Sequence, residues 1–226
     1  MENGMVYAAE LEELMGLIQF PEEVALMLAQ TESKLFQALQ PQSYVRYVSL
    51  DLSSVPQVDK GVWNLITRLK EVSSWITHLI ITQPTHEERK NIFSCIVRLV
   101  IISYGIGNFN AVVEILAGLK SEKLKPFWLT ISDTCRNELS IIDLLSEQLL
   151  SKEPTESYRS VVNRALKISN TDVIPFFGLF LSQLKMIVNK TPTILILPSN
   201  DAAGVSVSIR ICHNPFYLVD ALSGNS

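Results

Sequence analysis

The stretch QPTHEERKNIFSCIVRLVIISYGIGNFNAVVEILAGL, Gln83 to Leu119, spells two helices and the corner between them. Gln83-Pro84 ends whatever precedes it, because the residue before a proline is pushed out of the α region. Thr85 and Glu88 then have capping-box spacing: the threonine hydroxyl accepts from a first-turn amide while the glutamate reaches back. Ile92, Ile96, Leu99 and Val100 recur at steps of three and four as far as Gly105. Asn108 is placed to cap a further helix carrying Val112, Ile115, Leu116 and Leu119 on its stripe.

The same period runs outward in both directions. After Pro21, Val24, Leu28, Leu35 and Leu39 share a face, with Pro41 ending the run, and Ile66, Leu69, Ser73, Ile76 and Ile80 share another. Downstream, a helix is expected from Ser132, with Cys135, Leu139, Ile142, Leu145 and Leu149 on its stripe. Glu153-Pro154-Thr155 reads as a turn before Tyr158, Val161, Ala165 and Ile168. Pro175 suits the first turn of one more helix, from Phe176 to about Val188. About seven helices joined by short connections predict an all-α domain over 20–190. The spans 1–19 and 191–226 flank it as an N-terminal extension and a divergent or truncated tail. In that tail, Thr193 to Leu197 and Val205 to Ile211 are β-branched segments separated by turn residues, an irregular or short β-like pattern.

Composition narrows the function. The chain has 226 residues, 47% hydrophobic and 19% charged, too apolar for a disordered segment. Its 19 basic and 23 acidic residues give a net charge of −4, with no basic cluster of the kind a nucleic-acid binder carries. Cys95, Cys135 and Cys212 are odd in number and far apart, forming neither a disulfide framework nor a metal pair. The start has no basic n-region, and no run of about 18 apolar residues is present. A soluble, cytoplasmic domain is expected, without a transmembrane segment and with membrane recruitment left to other domains.

No pattern for covalent catalysis stands out. His78, His86 and His213 lack metal spacing, and His86 reads as an exposed first-turn residue. Gly105-Ile106-Gly107 follows a helix and lacks a third glycine, so it is not a phosphate cradle. Glu87 and Glu88 are first-turn acids favoured by the helix dipole. Asn189-Lys190-Thr191 is a formal glycosylation acceptor, moot in a cytosolic chain. The odd feature is Ile174-Pro175-Phe176-Phe177-Gly178-Leu179-Phe180-Leu181, apolar on every side, which must be buried or offer one face to a partner.

A resemblance resolves that choice. Phe20-Pro21-Glu22-Glu23-Val24-Ala25, with Glu32, Leu35-Phe36 and Gln40-Pro41, resembles the opening block of the Ras-type guanine-nucleotide exchange factor domain. Glu88-Arg89, Asn108-Phe109-Asn110, Glu114-Ile115 and Ala117 to Ser121, with Trp128, resemble its second block. Ile174 to Gly178, Leu181 and Leu184 resemble its third. The resemblance implies an all-α bowl that grips the switch regions of a Ras-family small GTPase of Ras or Rap type. A helical hairpin displaces one switch, with no cofactor, no metal site and no covalent chemistry.

Carried over residue by residue, it implies a pocket for a switch II side chain at Phe176, walled by Ile66 and Val113. Lys120 stands where many members have a functional asparagine. Leu181, Lys185 and Asn189 lie along the first hairpin arm. Lys185 replaces a usually apolar residue, and Val188-Asn189 replace a pair that is often Glu-Glu. The second arm is not recognisable after Lys190. An exchange-deficient module of the same fold, docking a GTPase or scaffold, is the alternative these departures leave open.

Overall fold

The structure, a computed structural model, describes residues 8–49, 60–131, 134–151, 155–168 and 173–190. The segments Thr193 to Leu197 and Val205 to Ile211, His213, Cys212, Ser132 and the Glu153-Pro154 turn lie outside the described residues. Among the described residues ten α-helices run in order: α1 (Ala8–Gly16), α2 (Pro21–Gln37), α3 (Pro41–Ser49), α4 (Lys60–Ile81), α5 (His86–Gly105), α6 (Phe109–Leu119), α7 (Lys125–Ile131), α8 (Arg136–Leu149), α9 (Glu156–Ile168) and α10 (Phe177–Lys190). A 3-10 turn, Glu122–Leu124, precedes α7. The described part is all-α, as the periodicity predicts.

The local signals act as expected. Glu88 N donates to Thr85 Oγ1 at 3.2 Å and Thr85 N to Glu88 Oε2 at 3.0 Å, completing the capping box of α5. The Ala111 amide donates to Asn108 Oδ1 at 3.1 Å, so Asn108 caps α6. His86 is exposed in its first turn. Cys95 and Cys135 are free thiols, half-buried and buried.

Three elements exceed the sequence reading. Pro41 ends the α2 run and also opens α3, since a missing amide costs nothing in a first turn. The seven-residue α7 is too short for periodicity to announce it. Within the extension 1–19, α1 and the turn after it join the common core, where Leu11, Leu14 and Ile18 are buried. Two boundaries also move. The helix expected from Ser132 spans Arg136–Leu149. The last helix starts at Phe177, leaving Pro175 and Phe176 outside it.

The core centres on α4 and α6, the most extensively packed helix pair. Gly118 makes that approach possible: a Cβ there would fall 2.5 Å from the Ser73 carbonyl oxygen and 2.8 Å from Ile76 Cβ. Two hydroxyls on α4 use the same closeness. Ser73 Oγ, 2.6 Å from the Leu69 carbonyl of its own helix, lies 3.0 Å from the Glu114 carbonyl, and Thr77 Oγ1 lies 2.8 Å from the Gly118 carbonyl. The helices α2 and α5 pack on this pair and on each other. Elsewhere on α4, Glu10 of α1 holds fully buried Arg68 by two parallel bonds of 2.9 and 3.0 Å and accepts from Thr31 Oγ1 at 2.9 Å.

Gly118→Ala should destabilise the chain by about 2 kcal/mol, because backbone cannot yield as a flexible side chain can. Glu10→Ala should cost about 2 kcal/mol by removing two charge-assisted bonds to the buried Arg68 guanidinium. Urea unfolding monitored by circular dichroism checks both; midpoints equal to that of the unsubstituted chain would contradict these packing assignments.

Candidate functional site

The residues of the expected site divide among the core, the end of α6 and the body of α10. Phe176, Val113 and Leu181 are buried members of the central apolar cluster, and Ile66 is half-buried against it. Lys120 is exposed at the C-terminal end of α6. Lys185 is half-buried on α10. Asn189 lies in the last turn of α10, and its side chain falls outside the described residues.

What positions α10 is a backbone crossing at its root. Gly107 turns the chain at the end of α5 with φ +81°, a conformation that favours glycine. The strand-like segment before α10 then pairs with the start of α6. Ile174 N donates to the Gly107 carbonyl at 3.0 Å, and the Phe109 and Asn110 amides donate to the Ile174 carbonyl at 2.9 and 3.3 Å. First-turn amides of a helix have no partner of their own, and Ile174 supplies one. The same bonds keep Ile174 extended, so Pro175 cannot begin a helix. Phe176 N donates to the Tyr158 hydroxyl of α9 at 3.1 Å, which delays helix entry to Phe177.

Phe176 folds over Gly178, where a Cβ would meet its ring at 2.5 Å. It also packs against Phe177 with ring centroids 5.4 Å apart. Of the three phenylalanines, Phe176 and Phe177 are buried while Phe180 is 47% exposed. Met186 and Ile187 are exposed farther along α10. The apolar helix thus splits into a buried root and an open body.

Beside this root sits a cluster that sequence reasoning did not single out. Glu32 of α2 and Glu114 of α6 are both fully buried. Asn110 Nδ2 donates to Glu32 Oε2 at 3.3 Å and to Glu114 Oε1 at 3.0 Å. Two carboxyl groups sharing one amide out of water cannot both be charged cheaply. Burial first pushes Glu32 up to about 7, with the Glu114 bond and the Arg68 charge pulling it part of the way back. Burial first, and the Glu32 charge next, hold Glu114 well above the usual carboxylate range. The pair therefore retains a proton at neutral pH, shared between the two carboxyl groups.

A signal for this cluster exists in the sequence. Glu32 stands four residues after Leu28 on an otherwise apolar stripe. Asn110 and Glu114 are one turn apart in a helix that is apolar elsewhere. The resembling blocks contain all three, so in this structure those positions serve the interior.

The pair makes stability depend on pH. An unfolded glutamate releases its proton near 4.5, whereas folded Glu32 keeps it to about 7. Between those values the folded chain binds more protons, so this contribution is complete below pH 4.5 and is lost as pH rises through 7. Glu32→Gln removes the carboxyl group that titrates near 7 and should flatten that slope. Denaturation at several pH values from 4.5 to 8 measures it, and an unchanged slope in the variant would refute the shared proton.

Comparison with known proteins agrees with the architecture. Residues 23–206 match the RasGEF domain family. A 1-phosphatidylinositol 4,5-bisphosphate phosphodiesterase epsilon-1 of Caenorhabditis elegans is 50% identical over 197 residues, 85% of this chain and 10% of that protein. The Lys120 variant of the second block, GLKSEKLKPFW, likewise resembles the exchange-factor domain of phospholipase C epsilon. Ras guanine nucleotide exchange factor M of Dictyostelium discoideum is 25% identical over 74% of this chain and 18% of its own length. RAS guanyl-releasing protein 1 of Xenopus tropicalis is 21% identical over 77% of this chain and 21% of its own length. The chain spans about a tenth to a fifth of the length of these relatives. With the match running from the first turn of α2 to beyond α10, this chain belongs to the RasGEF domain family.

Proposed function

We propose that this chain is a guanine-nucleotide exchange factor domain for a Ras-family small GTPase of Ras or Rap type, promoting GDP release in cytoplasmic or membrane-recruited signalling. The observation that carries the reading is α10: a helix moored at its root by the Ile174 crossing, with Met186 exposed along its body and Phe180 buried on one side only. A wedge needs that combination. Its base must not move, and its body must remain free to insert.

In this reading Phe176, Ile66 and Val113 form the floor and walls of a pocket for a switch II side chain. Their burial suits a floor better than a projecting knob, because a floor must hold its shape before the partner arrives. Lys120, Leu181, Lys185 and Asn189 complete the contact. No bond is made or broken in the protein. An exchange factor binds the nucleotide-free GTPase more tightly than the loaded one, and linkage then obliges nucleotide to bind the complex more weakly. Release accelerates because contact energy is realised where the nucleotide contacts are already broken. The absence of an acidic pair at Val188-Asn189 favours slower release than a member carrying Glu-Glu there. It also keeps the exchange-deficient docking module as the competing reading.

Release of fluorescent GDP from a panel of Ras, Rap and Ral proteins tests this directly. Weak but measurable release is expected, with tighter binding to the nucleotide-free form. Equal affinity for loaded and nucleotide-free forms across the panel would reject exchange in favour of the docking module. Phe176→Ala should abolish release, and it should also lower stability by about 3–5 kcal/mol, since the ring fills the core. A thermal melt beside the assay registers both effects.

A further inference from the structure

A wedge helix whose body is half open needs lateral support, and its root alone does not supply it. Among the described helices, α10 packs most extensively against α3. The contact between them is aromatic: the Tyr44 and Phe180 rings meet edge to face, centroids 5.1 Å apart and planes at 84°. That geometry sets the positive edge of one ring against the negative face of the other, so it fixes direction as well as distance.

One turn farther along α3, Tyr47 makes a second such contact, with Trp63 of α4, at 6.3 Å and 82°. Residues three apart lie side by side on a helix, so the two tyrosines share one face of α3. Tyr47 is buried and Tyr44 half-buried, the latter reaching out toward α10. Trp63 in turn stands one turn before Ile66. The short helix α3 thus spans the gap between α4, which bears one wall of the proposed pocket, and α10, the proposed wedge.

We propose that α3 is a strut that sets the position of α10 relative to α4, and that Tyr44 is a positioning residue for nucleotide exchange, acting through Phe180. The proposal rests on the exchange reading for its consequence in catalysis, but not for its structural content. Without the Tyr44 ring, α10 spends part of the contact energy with the GTPase on its own ordering. The pocket at Phe176, Ile66 and Val113 is untouched, so encounter with the GTPase is preserved while nucleotide expulsion suffers.

The test compares Tyr44→Ala, Tyr44→Leu and Tyr44→Phe in the full chain, by amide hydrogen exchange and by fluorescent-GDP release. Tyr44→Ala should speed exchange of the 177–190 amides about tenfold, leaving α4 and α6 protected. It should lower kcat for release about fivefold, with KM within about twofold, the scale expected for one lost aromatic pair. Tyr44→Phe keeps the ring and should restore both values. Should Tyr44→Ala not fold, Tyr44→Leu keeps the bulk, loses the ring and carries the same expectation. Unchanged exchange of the 177–190 amides overturns the proposal, as does an equal loss of protection in α4 and α6. If the unsubstituted chain releases no GDP from any GTPase, the exchange reading fails, and the hydrogen-exchange result alone then decides whether α3 holds α10.

Discussion

The crossing of Ile174 over the start of α6 is the constraint on which the rest of the site depends. It joins residues 107–110 to residue 174 through backbone atoms alone, so its geometry is set by the peptide planes rather than by side-chain choice. It requires Gly107 to turn α5 out of line at positive φ, and Asn108 to cap α6 at the same point. The described residues that follow it, 175–190, inherit its position. Phe176 falls over Gly178 because Ile174 is fixed, and α10 leaves the core in the direction that this packing dictates.

Around this crossing the interior is unusually polar for an all-α core. Glu32, Asn108, Asn110 and Glu114 are buried together, and Arg68 is buried nearby under its clamp from Glu10. Groups of this kind seldom add stability over a well-packed apolar alternative. They do demand particular partners, so that α2 and α6 lose more by slipping past one another than an apolar seam would. The hydroxyls of Ser73 and Thr77 impose a similar demand between α4 and α6 through backbone carbonyls. The result is a scaffold whose helices have one register, which suits a domain that must deform its partner without being deformed.

Legibility in the sequence followed the range of the interactions. The Thr85–Glu88 box and the Asn108 cap are contained within four residues, and both were readable without any tertiary information. The stripes of α2, α4, α5 and α6 were readable because each repeats over several turns. The helices α1, α3 and α7 span nine, nine and seven residues. Helices that short are marginal alone and owe their existence to what they pack against. The start of α10 was read one residue early because Pro175 is compatible with a first turn. The bonds that keep it out come from residues 107–110, far away in sequence. The buried carboxyl pair stayed hidden for the same reason: Glu32 and Glu114 are neighbours only once α2 lies on α6. For the site itself, the apolar string 174–181 announced something unusual, but its division into buried root and open body is a tertiary fact.

The central claim is that α10 is fixed at its root by the Ile174 crossing. The amide of Ile174 reports it most directly, because that N–H is bonded to the Gly107 carbonyl at 3.0 Å and to nothing that a mere loop would supply. Native-state hydrogen exchange resolved at this amide should show protection equal to that of the buried amides of α6, lost only when the core opens. Exchange at the rate of an exposed turn, with α6 still protected, would mean that α10 is not held by the crossing, and the account built on it would fall.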